Sequence, residues 1–299
     1  PYTTLFRAGR EDPDYRRNVL GEHGDATAPM FVLRRLMACV DTDETSLYNT
    51  DDYFCVKIKD EFLQSGSSVE GFLDFPKSHL TYKGETRTGK PKCQYWVGMD
   101  VGFTVDPSEI LVFVEYSPKE SEPSILKLLT RIQMVRMGPS DQVKVMMAVL
   151  DFYKPKALGI DANGNGQPLY QLCQEMLEAN PAALDDVLKA LKPYNFGEKI
   201  IVDFDPTIEP DPFYDDPTER AIKRNTKEYS SDKLRTLVDQ RRIEFPYDMD
   251  LLRQFQGATM APAPPGSQDQ YGRRIFSKGN DHILDAARFA MLGWAQHGI

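Results

Sequence analysis

The stretch QYWVGMDVG at residues 94–102 decides the fold. It is a short apolar run that ends in Asp-x-Gly, which is typical of a buried strand running into a turn. Two more apolar stretches follow, EILVFVEYS at 109–117 and SILKLLTRIQMV at 124–135, and the turn-rich SPKESEP lies between them. Together the three stretches predict a meander of antiparallel strands.

A helix and a further strand follow the meander. The residues from Pro139 to about Tyr153 predict a helix with Ser140 as its N-cap. The next stretch, ALGIDANGNG at 157–166, predicts a buried strand that ends in a glycine-rich loop. A strand that is reached through a crossover helix lies parallel to the strand it joins, so we expect this strand beside the first one.

Later segments continue the alternation. Ser231 is expected to cap a helix over 232–242, and DHILDAARFAMLGWAQ at 281–296 predicts a strongly amphipathic final helix. Strands alternating with helices predict an α/β fold, a mixed sheet flanked by helices. We expect this domain to span 94–299. Residues 1–93 are interpreted as a linker plus an insertion, because their apolar runs are too few to bury a core of their own.

Three acidic residues follow predicted strand ends or begin the last helix. Asp100 and Asp161 end neighbouring parallel strands, whose C-terminal ends meet at the sheet edge where open α/β sheets bind ligands. Asp281 stands at the start of the final helix, and it joins them if that helix points its N-terminus to the same edge. Carboxylate oxygens suit Mg²⁺ or Mn²⁺. Each aspartate alone also fits a turn or a helix cap, so the residues by themselves leave both interpretations open.

Five segments resemble the nuclease portion of viral terminase large subunits, in the order found in that family. Three carry its acidic motifs: YWVGMDVGF at 95–103, ALGIDANGNG at 157–166 and GNDHILDAARFAML at 279–292. DPDYRRNVLGEHGD at 12–25 is similar to the segment that joins the packaging ATPase to the nuclease. SSDKLRTLVDQRRIEFPYDMDLLRQFQGAT at 230–259 is similar to the helix, strand and helix that precede the last motif.

The resemblance implies a ribonuclease H-like fold and an endonuclease that cuts concatemeric double-stranded viral DNA during packaging. It implies that Asp100, Asp161 and Asp281 are the catalytic, metal-binding acids and that they hold two Mg²⁺ or Mn²⁺ ions. The partners it implies are double-stranded DNA, a small terminase subunit, the portal protein and an upstream packaging ATPase domain of the same chain. The implied location is the host cytoplasm, outside the mature virion. One departure stands out: many relatives have paired acids where this chain has Asp281-His282.

Other residues near the motifs have two interpretations each. Asp285 lies one helical turn beyond Asp281 and on the same face, so it is a candidate support for the metal site. His282 either assists that site or occupies the first turn of the helix. Lys278 either meets the scissile phosphate or is an ordinary lysine at a strand end. The loop Gly164-Asn165-Gly166 either approaches a phosphate or only turns the chain.

Charge is segregated along the chain. The net charge is −9, but residues 220–242 carry eight basic side chains against three acidic ones, just after an acidic stretch at 203–219. The basic stripe is a candidate for phosphate contact, although a solvated helix face is the usual meaning of such a run. Its members are Arg220, Lys223, Arg224, Lys227, Lys233, Arg235, Arg241 and Arg242.

Several functions are excluded or remain as rivals. No apolar stretch is long enough to span a membrane, and four scattered cysteines indicate reduced thiols. GETRTGKP at 84–91 nearly matches a nucleotide-binding loop but has Pro91 in place of the required hydroxyl. The rivals are another ribonuclease H-like nuclease, such as a resolvase or transposase, and a non-catalytic docking module. The 12–25 segment disfavours the resolvase and the transposase.

Overall fold

A computed structural model describes eleven parts of the chain. They are residues 28–41, 53–64, 68–81, 93–103, 105–117, 122–163, 166–178, 189–204, 221–262, 274–276 and 281–297.

Twelve strands and seven α-helices lie within these residues. The strands are β1 (Ala28–Pro29), β2 (Phe54–Lys59), β3 (Cys93–Asp100), β4 (Ser108–Tyr116), β5 (Ile125–Val135), β6 (Ala157–Asp161), β7 (Leu191–Tyr194), β8 (Lys199–Phe204), β9 (Ala221–Asn225), β10 (Ile243–Glu244), β11 (Thr259–Pro262) and β12 (Arg274–Phe276). The helices are α1 (Leu33–Met37), α2 (Asp60–Gln64), α3 (Pro139–Tyr153), α4 (Gly166–Glu178), α5 (Thr226–Asp239), α6 (Met249–Gly257) and α7 (His282–Ala295). Short 3₁₀ turns occupy Val69–Phe72 and Lys77–Thr81.

The main sheet has seven strands and confirms the predicted fold class. Its order is β10-β5-β4-β3-β6-β7, and β2 also pairs with β5. The β3-β4-β5 meander is antiparallel, whereas β6 lies parallel to β3 and to β7. This mixed sheet, flanked by helices, is the α/β arrangement that the sequence predicts. A sheet of β1, β11 and β12 and a β8-β9 pair were not predicted.

Helices cover both faces of the sheet with apolar side chains. On one face Trp96, Leu111 and Phe113 pack with buried residues of α5, α6 and α7. On the other face Val97 and Ile110 pack with buried residues of α3 and α4. The described residues before β3 contribute to both cores rather than forming a third one, since Met30, Phe31 and Leu36 join the first, and Ile58 and Val69 the second.

Two predicted helix caps are wrong. Helix α3 begins at Pro139, one residue before Ser140, and its N-cap Gly138 makes no side-chain cap. Proline suits the first helical position because its missing N–H has no partner there in any helix. Helix α5 begins at Thr226, well before Ser231, because the side chain of Asn225 accepts a hydrogen bond from the Glu228 amide and starts the helix earlier.

The four cysteines are free thiols. None of the described helices has the length and apolar character that crossing a membrane requires.

Candidate metal centre

Asp100 and Asp161 lie beside each other at one edge of the sheet, as predicted. The parallel register pairs Met99 with Ile160, so the residue that follows each is an aspartate at the C-terminal end of its strand. The side chain of Asp161 also shapes the turn that follows, because Oδ1 accepts a hydrogen bond from the Asn163 amide at 2.9 Å.

Helix α7 brings two more acids to this edge. It packs directly on β3 where Gly98 lacks a side chain: a Cβ there would lie 1.9 Å from the Ala286 carbonyl oxygen. Asp281 is the N-cap of α7, and Asp285 follows in its first turn. The negative charge of Asp285 raises the pKa of Asp100, Asp161 and Asp281 alike. Asp285 therefore lies near enough to influence each of the other three carboxylates.

The carboxylates are held where ionisation is costly. Burial raises the pKa of Asp100 to about 6, and the neighbouring Asp285 and Asp161 add to that shift while His282 opposes it. Burial is also the main cause of the raised pKa values of Asp161 and Asp281. Carboxylates that are close together and poorly solvated favour the binding of a cation.

Two cationic side chains contact the pair of acids on α7. Lys227 Nζ lies 3.6 Å from Asp281 Oδ2 and 3.3 Å from Asp285 Oδ2. Arg288, only 1% exposed, donates from its Nη1 to Asp285 Oδ1, and the same nitrogen lies 3.7 Å from Asp281 Oδ2. Because Asp285 has two close cationic partners, its charge is largely balanced within the protein.

His282 links Asp100 to the loop that follows it. Its Nδ1 lies 2.8 Å from Asp100 Oδ2, and its Nε2 lies 3.6 Å from Asp106 Oδ1. The hydrogen bond with Asp100 is the main cause that raises the pKa of His282 to about 9. The imidazole is therefore protonated at neutral pH and donates to Asp100.

Buried polar side chains hold the loop that joins Asp100 to β4. Ser108 Oγ accepts from the Gly102 amide and donates to the Gln142 side chain. Gln142 Nε2 donates to the Gly102 carbonyl and to the Met137 carbonyl, both at 2.9 Å. The backbone that carries Asp100 into this loop is thus held by α3.

The described members of the basic stripe do not form one exposed surface. Lys223 and Arg241 are exposed, whereas Lys227 faces the acids. Arg224 pairs with Asp232 at 2.5 Å, and Arg242 donates to the Ser124 carbonyl at 2.9 Å. Lys233 lies over the Tyr229 ring, and Arg235 is half-buried. Phosphate contact by the stripe stays a prediction, and Lys223 and Arg241 are its most accessible described members.

Some residues singled out from the sequence lie outside the described parts of the chain, and other residues at the site were not foreseen. The first group comprises Lys278, Arg220, the Gly164-Asn165 part of the glycine loop, and the segments at 12–25 and 84–91.

Sequence reasoning missed Arg288 and Asp106. Arg288 carried a signal, since it stands three residues after Asp285 on the same helix face. Asp106 carried none, because only the folded loop brings it to His282.

In the described part of the chain, the acidic side chains are not arranged as a complete set of metal ligands. Among the described residues, no group of three His, Cys, Asp or Glu side chains is arranged so that it could hold a metal ion. The contacts explain this, because Lys227 and Arg288 engage the acids of α7 while His282 engages Asp100. The donor chemistry nevertheless fits a hard divalent cation, since the candidate ligands are carboxylate oxygens, and burial raises the pKa of Asp100, Asp161 and Asp281.

Comparisons with known proteins return structures only. No protein-family model matches the sequence, and no curated protein matches it. The fold is similar to the large terminase nuclease of thermophilic phage G20c with bound magnesium (17% identity, TM-score 0.42, 68% of this chain and 82% of that one). It is also similar to the P22 large terminase nuclease domain (13% identity, TM-score 0.36, 69% of this chain and 82% of that one). A third similar structure is the HK97 bacteriophage large terminase (9% identity, TM-score 0.42, 89% of this chain and 44% of that one). At these values the likenesses transfer no site residue to this chain.

Proposed function

We propose that this chain is a metal-dependent endodeoxyribonuclease of the terminase type, cutting concatemeric double-stranded viral DNA during packaging. The observation that carries the proposal is the meeting of Asp100, Asp161 and the acids of α7 at the C-terminal edge of the central strands. The motif order in the sequence supports it as well.

Asp100, Asp161 and Asp281 would hold two Mg²⁺ or Mn²⁺ ions, which when bound activate a water and stabilise the leaving oxygen in phosphodiester hydrolysis. Other residues prepare the acids. His282 orients the Asp100 carboxylate through its 2.8 Å hydrogen bond. Lys227 lowers the pKa of Asp161 and Asp281 and so favours the ionised ligands.

Plasmid cleavage tests the proposal. The chain should nick or linearise plasmid in Mn²⁺ or Mg²⁺ and lose this activity in chelator. Asp100→Asn should abolish cleavage. Asp239→Asn is the matched control, because it makes the same chemical change at an acid that ends α5, twelve residues from Lys227, and pairs with Arg35. Cleavage that persists in excess chelator would remove the metal mechanism.

One observation favours a second candidate, a non-catalytic docking module. The acids of α7 are already paired with Lys227 and Arg288, and a module without catalysis would retain such pairs for stability. Calorimetric titration with Mn²⁺ separates the two candidates. A nuclease should bind Mn²⁺ and lose that binding in Asp161→Asn, whereas a docking module has no reason to bind the ion through these acids.

The proposal includes partners and a location. Double-stranded DNA is the substrate, and Lys223 and Arg241 are the exposed basic side chains that would contact its phosphates. A small terminase subunit, the portal protein and a packaging ATPase domain upstream in the same chain complete the machinery, in the host cytoplasm. A pull-down of the portal protein and the small subunit with this chain tests the partners.

A further inference from the structure

The N-terminus of α7 is capped by a side chain from another helix. Asp281 is the N-cap residue, yet its carboxylate makes no cap hydrogen bond. Gln254 Oε1 from α6 accepts from the Ile283 amide at 2.8 Å and from the Leu284 amide at 3.4 Å. These are the second and third amides of the helix, which an N-cap aspartate ordinarily engages. Gln254 therefore occupies the place that the Asp281 carboxylate would take.

The same chain shows what an aspartate does when no other acceptor intervenes. Asp248 is the N-cap of α6, and its Oδ1 accepts from the amides of Asp250 and Leu251 at 2.9 and 3.1 Å. Asp281 is likewise an aspartate at the N-cap position of its helix. Its carboxylate instead points to Lys227 and Arg288. We call the sheet edge that carries Asp100, Asp161 and the two acids at the start of α7 the acidic edge.

Helix α6 is a rigid support for Gln254. Asp248 at its N-terminus is held by Arg131, whose Nη1 donates to both carboxylate oxygens at 3.0 and 2.8 Å, and by the Tyr53 hydroxyl at 2.8 Å. Leu251 and Phe255 anchor the helix in the core. The position of the Gln254 amide is thus fixed by contacts that do not involve the acidic edge.

We propose that Gln254 is a positioning residue: by capping α7 in place of Asp281, it leaves the Asp281 carboxylate free to serve as a metal ligand. The inference rests on the proposed function insofar as Asp281 binds metal. It predicts that when Gln254 loses its acceptor oxygen, Asp281 turns onto the Ile283 amide and leaves the acidic edge.

Crystal structures of the wild type and of Gln254→Ala, both in chelator, test the turn directly. We expect the Asp281 carboxylate within hydrogen-bond distance of the Ile283 amide in the variant only. An Asp281 side chain that stays at the acidic edge in both structures overturns the inference, whatever the protein does with metal. If the wild type binds no Mn²⁺, the proposed function fails while this structural comparison still decides the capping role.

Calorimetry with Mn²⁺ tests the consequence for ligand binding. Gln254→Ala should weaken Mn²⁺ affinity by roughly fivefold, the factor that corresponds to a typical N-cap contact, with little change in melting temperature because Asp281 takes over the cap. Gln254→Glu keeps an acceptor oxygen and should not weaken affinity. Gln256→Ala, an exposed glutamine on the same helix, is the matched control and should change neither quantity.

A double variant separates positioning from simple stabilisation. In an Asp281→Asn background, Gln254→Ala should cause no further loss of Mn²⁺ affinity, because the ligand is already absent. A lower melting temperature in Gln254→Ala with unchanged Mn²⁺ affinity would show that the glutamine only stabilises the helix end, and would contradict the proposal.

Discussion

The contact between β3 and α7 makes Gly98→Ala the sharpest test of how the acidic edge is built. The added methyl would lie 1.9 Å from the Ala286 carbonyl oxygen and 2.4 Å from the Ala290 amide nitrogen. An ordinary carbon–oxygen contact is about 3.3 Å, so the helix and the strand must separate by about 1.4 Å. Both obstacles are backbone atoms, and no side-chain rotation relieves them.

Overpacking of this kind costs about 1–3 kcal/mol, and occasionally more. We expect the upper end, which lowers the melting temperature by roughly 5 °C in a chain of this size. Moving α7 also moves Asp281 and Asp285 away from Asp100, and a shift of about 1 Å can cost 10²-fold in rate. Mn²⁺ affinity and plasmid cleavage should therefore fall together with stability.

Thermal melting in chelator, followed by Mn²⁺ calorimetry at a temperature where the variant is folded, measures both effects. Gly257→Ala is the control, because a Cβ at that helical position meets nothing within 4 Å. That variant should melt at or slightly above the wild-type temperature. If Gly98→Ala melts like Gly257→Ala and keeps its Mn²⁺ affinity, the close backbone approach does not set the geometry of the site.

Four further outcomes are expected. Asp281→Asn should abolish plasmid cleavage with little change in melting temperature, whereas Asp285→Asn should lower stability by about 3 kcal/mol, because it removes the closest carboxylate partner of the buried Arg288; the reverse pattern would exchange their roles. Mn²⁺ affinity measured by calorimetry should rise between about pH 5 and pH 7, since Asp100, with its pKa of about 6, must lose its proton. Without metal, the raised pKa of Asp100 should make stability fall as pH rises from 3.8 through about 6, because burial disfavours the ionised form; a flat urea-denaturation profile would contradict this. Lys223→Ala should reduce the salt slope of DNA affinity by about one, whereas Arg242→Ala should leave that slope unchanged and lower stability by about 1 kcal/mol.

The centre of the fold could be predicted because its signals are local. The runs around Asp100 and Asp161 are apolar and short. The crossover through α3 makes β6 parallel to β5, and β3 runs in the same direction as β5 across the meander. That β6 pairs with β3 rather than with β5 is a further step, which the structure supplies. The position of Asp281 required the further assumption that α7 points its N-terminus to the same edge. The small residues of α7 that lie beside Gly98 are compatible with close packing of the helix on β3.

The rest depends on contacts between distant segments. Lys227 meets Asp285 across 58 residues, and Gln254 meets Ile283 across 29 residues. Neither residue type nor spacing distinguishes Lys227 from the other basic residues around it. The short strands β1 and β11 carry too few residues for a periodic signal, and partners elsewhere in the chain determine that they form.

The outer side of β5 is covered by two unrelated pieces of chain. β10 pairs with Leu126 and Lys127, and β2 pairs with the stretch from Thr130 to Val135. A chain shortened to begin at residue 94 would lose β2 and expose six residues of unpaired backbone on an apolar strand, which is a template for association with other chains. Such a shortened protein should self-associate at concentrations where the full chain does not. Any dissection of this protein should therefore keep the segment from residue 53 onwards.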